Sequence, residues 1–214
     1  MRSDYETLGI TYDPPHVHVA RLIEAARVLK RLFAEEEVIH ARTDYRAKAT
    51  LRPRPLQRPR PPPMIGGGGP RVLTFAAREA DIVGLLPQMT ASGFVRPESL
   101  TADAVERMVG RVQRAAGSQS AWLELNAVVF DAAVTNDPRS ATRRIPARFK
   151  GPGARPLETP YFLYGTQAEL SARLRDQRER LGISYLALPS TAMEELGPVV
   201  AELAGNCART GWRE

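Results

Sequence analysis

The sequence predicts an α/β protein in which amphipathic helices cover a parallel sheet. Residues 63–65 form a short apolar strand, which a glycine run joins to a helix that begins near Pro70, as in a βα unit. A second unit follows, in which the buried strand 81–87 precedes a helix that begins at Thr101. Such alternation favours either a doubly wound sheet or a (β/α)8 barrel, and periodicity alone does not choose between them.

Two further helices have clear local signals. Apolar residues at helical spacing predict a helix over residues 17–33, after two prolines. Another helix opens with a capping box of Thr166 and Glu169 and ends at Gly182. Both helices would present one apolar stripe to a core.

Two more strands are predicted in the second half of the chain. Residues 121–135 are rich in β-branched and aromatic types and predict one long strand. Residues 183–188 predict a buried strand, and a helix over 191–203 follows it, bent at Pro198. The chain thus shows about four strands, whereas a complete (β/α)8 barrel needs eight and typically about 250 residues.

Two segments lack the periodicity of a helix or a strand. Residues 42–60 belong to a basic, proline-rich stretch that favours extended or polyproline conformations. Residues 136–160 are rich in proline and basic side chains, and we expect an irregular, lid-like segment there. We expect both to be less ordered than the βα units because they lack apolar anchors.

The charge of the chain suits an anionic ligand. The 214 residues carry a formal net charge of +6. This excess suits a polyanion, or a cofactor with a phosphate and an acidic tail. Basic side chains are concentrated over residues 42–60, but Tyr45 is the only aromatic ring there that could stack on a base. That scarcity disfavours a nucleic-acid partner and favours a solvated loop.

The composition disfavours a membrane protein and a metal enzyme. No apolar run approaches the ~20 residues that span a bilayer, and the N-terminus lacks the pattern of a signal peptide. We therefore expect a cytoplasmic protein without a membrane partner. Cys207 is the only cysteine, and the histidines are His16, His18 and His40, so we expect neither a disulfide nor a metal site.

The glycine run at residues 66–69 is the strongest candidate for a ligand site. It joins a strand to a helix, where free backbone N–H groups and the helix dipole favour a phosphate. The run fits neither the dinucleotide-binding pattern nor the P-loop pattern. A flexible turn without a ligand is therefore an equal alternative.

Four stretches together resemble the luciferase-like monooxygenase superfamily, and specifically its oxidoreductases that use the deazaflavin coenzyme F420. They are, in chain order, RSDYETLGITYDPPHVHVARLIEAARVLKRLF, PPPMIGGGGPRVLTFAAREADIVGL, AWLELNAVVFDAAVT and GTQAELSARLRDQRERLGISYLALPSTAMEELGPVVAEL. The second stretch is the most specific, because it joins a proline-flanked strand, the glycine run and an AAREAD motif that leads into a strand.

The resemblance implies a partial (β/α)8 barrel that comprises roughly the last four strands. Residues 1–207 would be the C-terminal part of one barrel domain, residues 208–214 a tail, and residues 42–60 the family's insertion between strands four and five. The motif that follows the fourth strand in such proteins begins here at Arg2, so we expect the first strands to be absent. An incomplete barrel has open sheet edges, and we expect a poor enzyme that self-associates or forms a homo-oligomer.

The resemblance also implies a cofactor, a reaction and a set of cofactor-binding residues. The expected cofactor is F420, and the expected reaction is hydride transfer between the deazaflavin and an unidentified small organic substrate. An FMN-dependent monooxygenase is the close alternative, and a basic, non-catalytic polyanion-binding protein is the alternative from another class. No catalytic residue is assigned. The residues assigned by position to the phosphate and side chain of the cofactor are Ser3, Gly66, Gly67, Gly68, Gly69 and Arg71.

Overall fold

The computed structural model describes residues 2–34 and 37–205, which form two compact units. One unit contains residues 2–63, and the other contains residues 64–205. The assignment of residues 1–207 to one barrel domain stays a prediction. The tail at 208–214 lies outside the described residues.

The unit of residues 2–63 is built from helices and one hairpin. Its elements are α1 (Arg2–Thr7), α2 (Pro15–Ala34), β1 (Val38–Ala41) and β2 (Arg46–Ala49). Helix α2 confirms the helix predicted over residues 17–33. The antiparallel pairing of β1 with β2, with Val38 opposite Ala49, was not predicted, because the stretch over 42–60 was expected to be extended without a partner.

The side chain of Glu24, on α2, holds the polar β1–β2 hairpin against that helix. Its Oε1 atom accepts a hydrogen bond from the backbone N–H of Tyr45 at 3.1 Å and lies 2.7 Å from His40 Nε2. The hydrogen bond with His40 is the main reason that the pKa of Glu24 lies below its ordinary value. One carboxylate therefore fixes both the turn and the first strand of the hairpin.

The unit of residues 64–205 contains a parallel sheet. Its strands and helices are β3 (Met64–Gly67), α3 (Pro70–Glu79), β4 (Ile82–Leu85), α4 (Ala102–Ala116), β5 (Glu124–Val128), β6 (Asp131–Val134), α5 (Pro138–Ala141), β7 (Phe162–Gly165), α6 (Gln167–Leu181), β8 (Ile183–Ala187) and α7 (Met193–Leu203). The main sheet has the order β3-β4-β5-β8, and all of its pairs are parallel. The predicted alternation of strands and helices is confirmed.

Local signals set the helix ends as predicted. Thr101 caps α4 by accepting a hydrogen bond from the N–H of Ala104 at 3.2 Å. Thr166 and Glu169 form the capping box of α6, and Gly182 ends that helix with a φ of 72°. This left-handed backbone conformation favours glycine, because any other residue would place a Cβ against the backbone.

One face of the main sheet is covered by helices. Ala127 of β5 pairs with Leu186 of β8, and Leu186 packs against a buried cluster that includes Leu170 of α6 and Leu196 of α7. Side chains alternate between the faces of a strand. The neighbouring register pair, Asn126 and Tyr185, therefore lies on the opposite face.

The single strand predicted over residues 121–135 is wrong, because the chain changes sheets within it. The backbone N–H of Val129 still donates a hydrogen bond of 2.9 Å to the carbonyl of Ala187, the last residue of β8. Phe130, the next residue, donates instead to Tyr161 at 2.8 Å. Strand β6 then pairs in parallel with β7 in a separate two-stranded sheet.

A polar cross-link joins the two strands of this small sheet. Tyr164 Oη donates a hydrogen bond of 2.6 Å to Asp131 Oδ2, and Arg144 Nη2 donates one of 3.0 Å to Asp131 Oδ1. Burial, and then the bond to Asp131, raises the pKa of Tyr164. Residues 162–165 were not predicted as a strand, because four apolar residues beside a proline-rich loop give no periodicity.

The segment 136–160 is irregular, as expected, but it does have apolar anchors. Apart from the single turn of α5, it forms only short 3-10 turns. Ile145 and Phe149 are buried, and the Phe149 ring lies 4.6 Å from that of Phe130 and 5.3 Å from that of Phe162, centroid to centroid. The expectation that this segment lacks anchors is therefore wrong.

Candidate phosphate site at the glycine turn

The glycine run straddles the end of β3. Gly66 and Gly67 belong to the strand, whereas Gly68 and Gly69 form the turn before Pro70, the first residue of α3. The sequence predicted that the strand would end at Ile65, two residues too early. Only Gly68 and Gly69 therefore lie beyond the carboxyl end of the strand, in the place typical of ligand sites in parallel sheets.

Close packing explains two of these glycines. A Cβ on Gly68 would lie 2.3 Å from the carbonyl oxygen of Leu86, and a Cβ on Gly67 would lie 2.8 Å from Val72 Cγ1. A Cβ on Gly69 would meet nothing within 4 Å. The turn thus runs tightly against the chain that follows β4, while its last residue faces open space.

The turn offers unpaired donors to an anion. In the described part of the chain, no hydrogen bond engages the backbone N–H of Gly68 or Gly69. Gly69 is the N-cap of α3 and has no capping side chain, so the first N–H groups of the helix also point outward without an intrahelical partner. Free N–H groups and the positive end of the helix dipole together suit a phosphate.

A groove of about 240 Å³ opens beside the turn, between α3 and α4. Its lining combines an apolar floor with a polar rim: Gly68, Pro70, Leu73, Gln88, Glu98, Ser99, Ala104, Arg107, Met108 and Arg111. Gln88 is held in place because its Nε2 atom donates a hydrogen bond of 3.2 Å to the Gly68 carbonyl. The groove therefore extends from the glycine turn along the surface of helices α3 and α4.

Arg107 and Arg111 give this groove a positive rim. They lie one turn apart on exposed positions of α4, and within residues 2–34 and 37–205 neither forms an ion pair. Like charges at this spacing destabilise a helix slightly, so helix stability does not explain the pair. Sequence reasoning missed them, although two consecutive βα units place their helices side by side.

Two further residues, Arg71 and Ser3, were predicted to belong to the site. Arg71 is exposed in the first turn of α3 and does not line the groove. Ser3 belongs to α1 in the other unit, where its Oγ atom lies 3.4 Å from Asp4 Oδ1 and its carbonyl accepts a bond from Thr7 at 2.8 Å. The roles of Arg71 and Ser3 stay predictions.

The described residues include neither a cluster of metal ligands nor a membrane-spanning helix. Within the described ranges, no three side chains of histidine, cysteine, aspartate or glutamate are grouped as metal ligands. Cys207 lies outside those ranges. None of the helices described is both long and apolar enough to cross a membrane.

Solved structures of enzymes share this fold. An F420-dependent secondary alcohol dehydrogenase, in complex with an F420-acetone adduct, matches with a TM-score of 0.61 and 18% identity, over 90% of this chain and 64% of its own. The monooxygenase RslO1 from Streptomyces bottropensis matches with a TM-score of 0.66 and 21% identity, over 94% of this chain and 64% of its own. A riboflavin lyase with modified FMN and riboflavin matches with a TM-score of 0.63 and 12% identity, over 98% of this chain and 62% of its own.

These matches establish the fold class. The chain spans less than two thirds of the length of each of these proteins, and its parallel sheet with helical cover is a partial (β/α)8 barrel, as predicted. No curated protein sequence matches the chain. The sequence model of the family described as luciferase-like monooxygenase, however, matches residues 2–196, so the chain belongs to this family.

Proposed function

We propose that the chain is part of an F420-dependent oxidoreductase that transfers a hydride between the deazaflavin and an organic substrate. Family membership supports an oxidoreductase. The observation that supports a cofactor with a phosphate is the glycine turn, where the N–H groups of Gly68 and Gly69 are unpaired at the start of α3. A phosphate fits there because Gly69 carries no side chain and its Cβ position is open.

Each part of the site has a role in holding the cofactor. Gly68 and Gly69 would donate backbone hydrogen bonds to phosphate oxygens, and Arg71 would add a charge near the same group. Gln88 donates a hydrogen bond of 3.2 Å to the Gly68 carbonyl and so satisfies the acceptor nearest to the unpaired N–H groups. When bound, the deazaflavin supplies the hydride chemistry, while the protein supplies orientation and electrostatics.

The groove favours F420 over FMN. F420 carries acidic groups beyond its phosphate, whereas FMN ends at the phosphate. Arg107 and Arg111 lie along a groove that begins at Gly68, so they are placed to attract carboxylates that extend past the turn. FMN remains the alternative cofactor, since one similar fold is recorded with modified FMN.

The basic stretch over residues 42–60 gives less support to a polyanion-binding function. Arg54 donates to the carbonyl of Ala34 at 3.2 Å, and Arg58 donates to that of Pro55 at 2.6 Å. Arg60 likewise donates to the carbonyl of Pro61 at 3.3 Å. These three arginines donate to carbonyl groups of their own unit, so the stretch is more structured than the solvated loop that the sequence predicted.

A competition experiment tests the cofactor. The purified chain is mixed with equal amounts of F420 and FMN, free ligand is removed, and the absorbance spectrum of the bound fraction identifies the ligand. We expect the deazaflavin spectrum. A flavin spectrum would support the FMN alternative, and a bound fraction without either chromophore would contradict the proposed function.

A further inference from the structure

The segment that follows β6 concentrates positive charge on the surface. Residues 138–150 include five basic side chains and no acidic one. All five are exposed: Arg139, Arg143, Arg144, Arg148 and Lys150. Arg144 pairs with Asp131, but in the described part of the chain the other four form no ion pair. Like charges held this close together repel one another, so the segment favours an anionic partner.

This basic segment is anchored on its inner side. Ile145 and Phe149 are buried, and the Arg148 guanidinium lies 4.9 Å from the centroid of the Phe149 ring. Lys150 Nζ donates a hydrogen bond of 3.4 Å to the carbonyl of Arg143. The basic side chains are therefore presented by a structured backbone, and a partner that binds them does not have to order the segment first.

A short hairpin loop, residues 88–96, lies beside the basic segment. The backbone N–H of Val95 donates a hydrogen bond of 2.8 Å to the carbonyl of Arg148, and Met89 pairs with Val95 across the loop. Thr90 closes the tip, since its N–H donates to the Phe94 carbonyl at 2.8 Å and its Oγ1 atom accepts from the Phe94 N–H at 3.2 Å. Bonds to the backbone therefore hold this loop in place.

The hairpin loop exposes two large apolar side chains. Met89 is 52% exposed and Phe94 is 53% exposed, and the hydrogen bonds that hold the loop use the backbone of these residues and not their side chains. Arg96, which is also exposed, follows directly. Apolar side chains gain free energy by entering the headgroup boundary of a bilayer, while basic side chains attract anionic lipids. The loop and the basic segment together offer both.

We propose that residues 88–96 and 138–150 form a surface that binds an anionic phospholipid membrane. Met89 and Phe94 enter the boundary between headgroups and acyl chains, and the arginines pair with lipid phosphates. Single-stranded nucleic acid fits less well, because Phe94 is the only exposed aromatic ring in these two segments. We expected no membrane partner because the sequence has no spanning run, but surface binding needs none.

Vesicle flotation with the whole chain tests this surface. One set of vesicles is phosphatidylcholine alone, and the other is phosphatidylcholine mixed with phosphatidylglycerol, whose headgroup is anionic. We expect the wild type to float with the mixed vesicles only, and to be released as salt is added. Flotation with neither set, or equally with both, overturns the proposal. Retention on single-stranded DNA without flotation would assign the surface to nucleic acid and would also overturn it.

Two variants show whether binding occurs at this surface. Phe94→Ser removes the apolar contact, and Arg148→Gln combined with Lys150→Gln removes two charges. Each variant should bind the mixed vesicles about tenfold more weakly. All three positions are exposed, so the fold should be retained. Flotation of either variant like the wild type overturns the proposal.

Matched controls come from exposed positions elsewhere in the same unit. Trp122 is 71% exposed but precedes β5, at the amino edge of the parallel sheet, whereas Phe94 follows β4 at the carboxyl edge. Trp122→Ser is therefore the control for Phe94→Ser. Arg78→Gln combined with Arg114→Gln removes two charges from exposed positions of α3 and α4. Both controls should float like the wild type, and a control that weakens flotation as much as its counterpart overturns the proposal.

Discussion

The Cβ position of Gly68 lies 2.3 Å from the carbonyl oxygen of Leu86, so the turn after β3 and the chain after β4 leave no room for a side chain. Gly68→Ala should lower the free energy of unfolding by about 1–3 kcal/mol, because the backbone must shift to relieve the overlap. Gly69→Ser is the matched control, since its Cβ meets nothing within 4 Å and serine suits the N-cap position that Gly69 holds. Urea unfolding measures both, and equal stability of the two variants would contradict the tight turn.

Arg107 and Arg111 should determine the salt dependence of F420 binding. Replacing both by glutamine removes two charges from the rim of the groove, so the affinity for F420 should fall and should depend less on salt. Relief of the like-charge pair should also stabilise α4 by a few tenths of a kcal/mol. Calorimetric titration at low and high salt measures the first effect.

Arg114→Gln is the control for this prediction, because Arg114 lies on the same helix but does not line the groove. The control should retain the affinity of the wild type and its salt dependence. If it weakens F420 as much as the Arg107 and Arg111 replacements do, the groove has no particular role.

Tyr164 should make the protein less stable at high pH. Its pKa is raised in the folded state by burial and by its bond to Asp131. The stabilisation is therefore complete below the unfolded tyrosine pKa of about 10 and is lost as the pH rises above it. Tyr164→Phe should reduce this loss between pH 8 and pH 11, as measured by urea unfolding.

Tyr161 limits the size of that reduction. Its pKa is also raised, by burial alone, so the Tyr164→Phe variant should keep part of the alkaline destabilisation. An unchanged pH dependence in Tyr164→Phe would mean that neither the burial of Tyr164 nor its bond to Asp131 raises its pKa in solution.

Local signals in the sequence predicted much of the fold. The caps at Thr101 and Thr166 and the stop at Gly182 depend on residues a few positions apart, and each helix forms where its signal predicts. The change of sheet between Val129 and Phe130 depends on partners more than thirty residues away in the chain. No local pattern in the sequence marks such a change. The sequence therefore did not separate β6 from β5, and it did not predict β7.

The residues of the candidate site likewise include some that local sequence predicts and some that depend on contacts between distant segments. The glycine turn was predicted because strand, glycine and helix follow one another directly. Arg107 and Arg111 were not, because their role depends on how α4 packs beside α3 to form the groove.

The outer edges of the main sheet should make the isolated 214-residue chain associate. In the described residues, no strand pairs with the free side of β3 or of β8, and unpaired edges favour pairing between molecules. Light scattering after size-exclusion chromatography should show species larger than a monomer. Ser184→Lys, at an exposed position of β8, should reduce the association. A wild-type chain that is monomeric at micromolar concentration would contradict the predicted association.

The most direct test of the phosphate site compares two ligands and two variants of Gly69. The ligands are F420 and the deazaflavin that lacks its phosphate and acidic tail. Gly69→Asp and Gly69→Asn both supply a good N-cap for α3, so both should fold, but only aspartate repels an anion at the turn. We expect Gly69→Asp to bind F420 at least about tenfold more weakly than Gly69→Asn does, and the phosphate-free deazaflavin to bind both variants equally. Equal affinity of F420 for the two variants would contradict a phosphate site at the glycine turn.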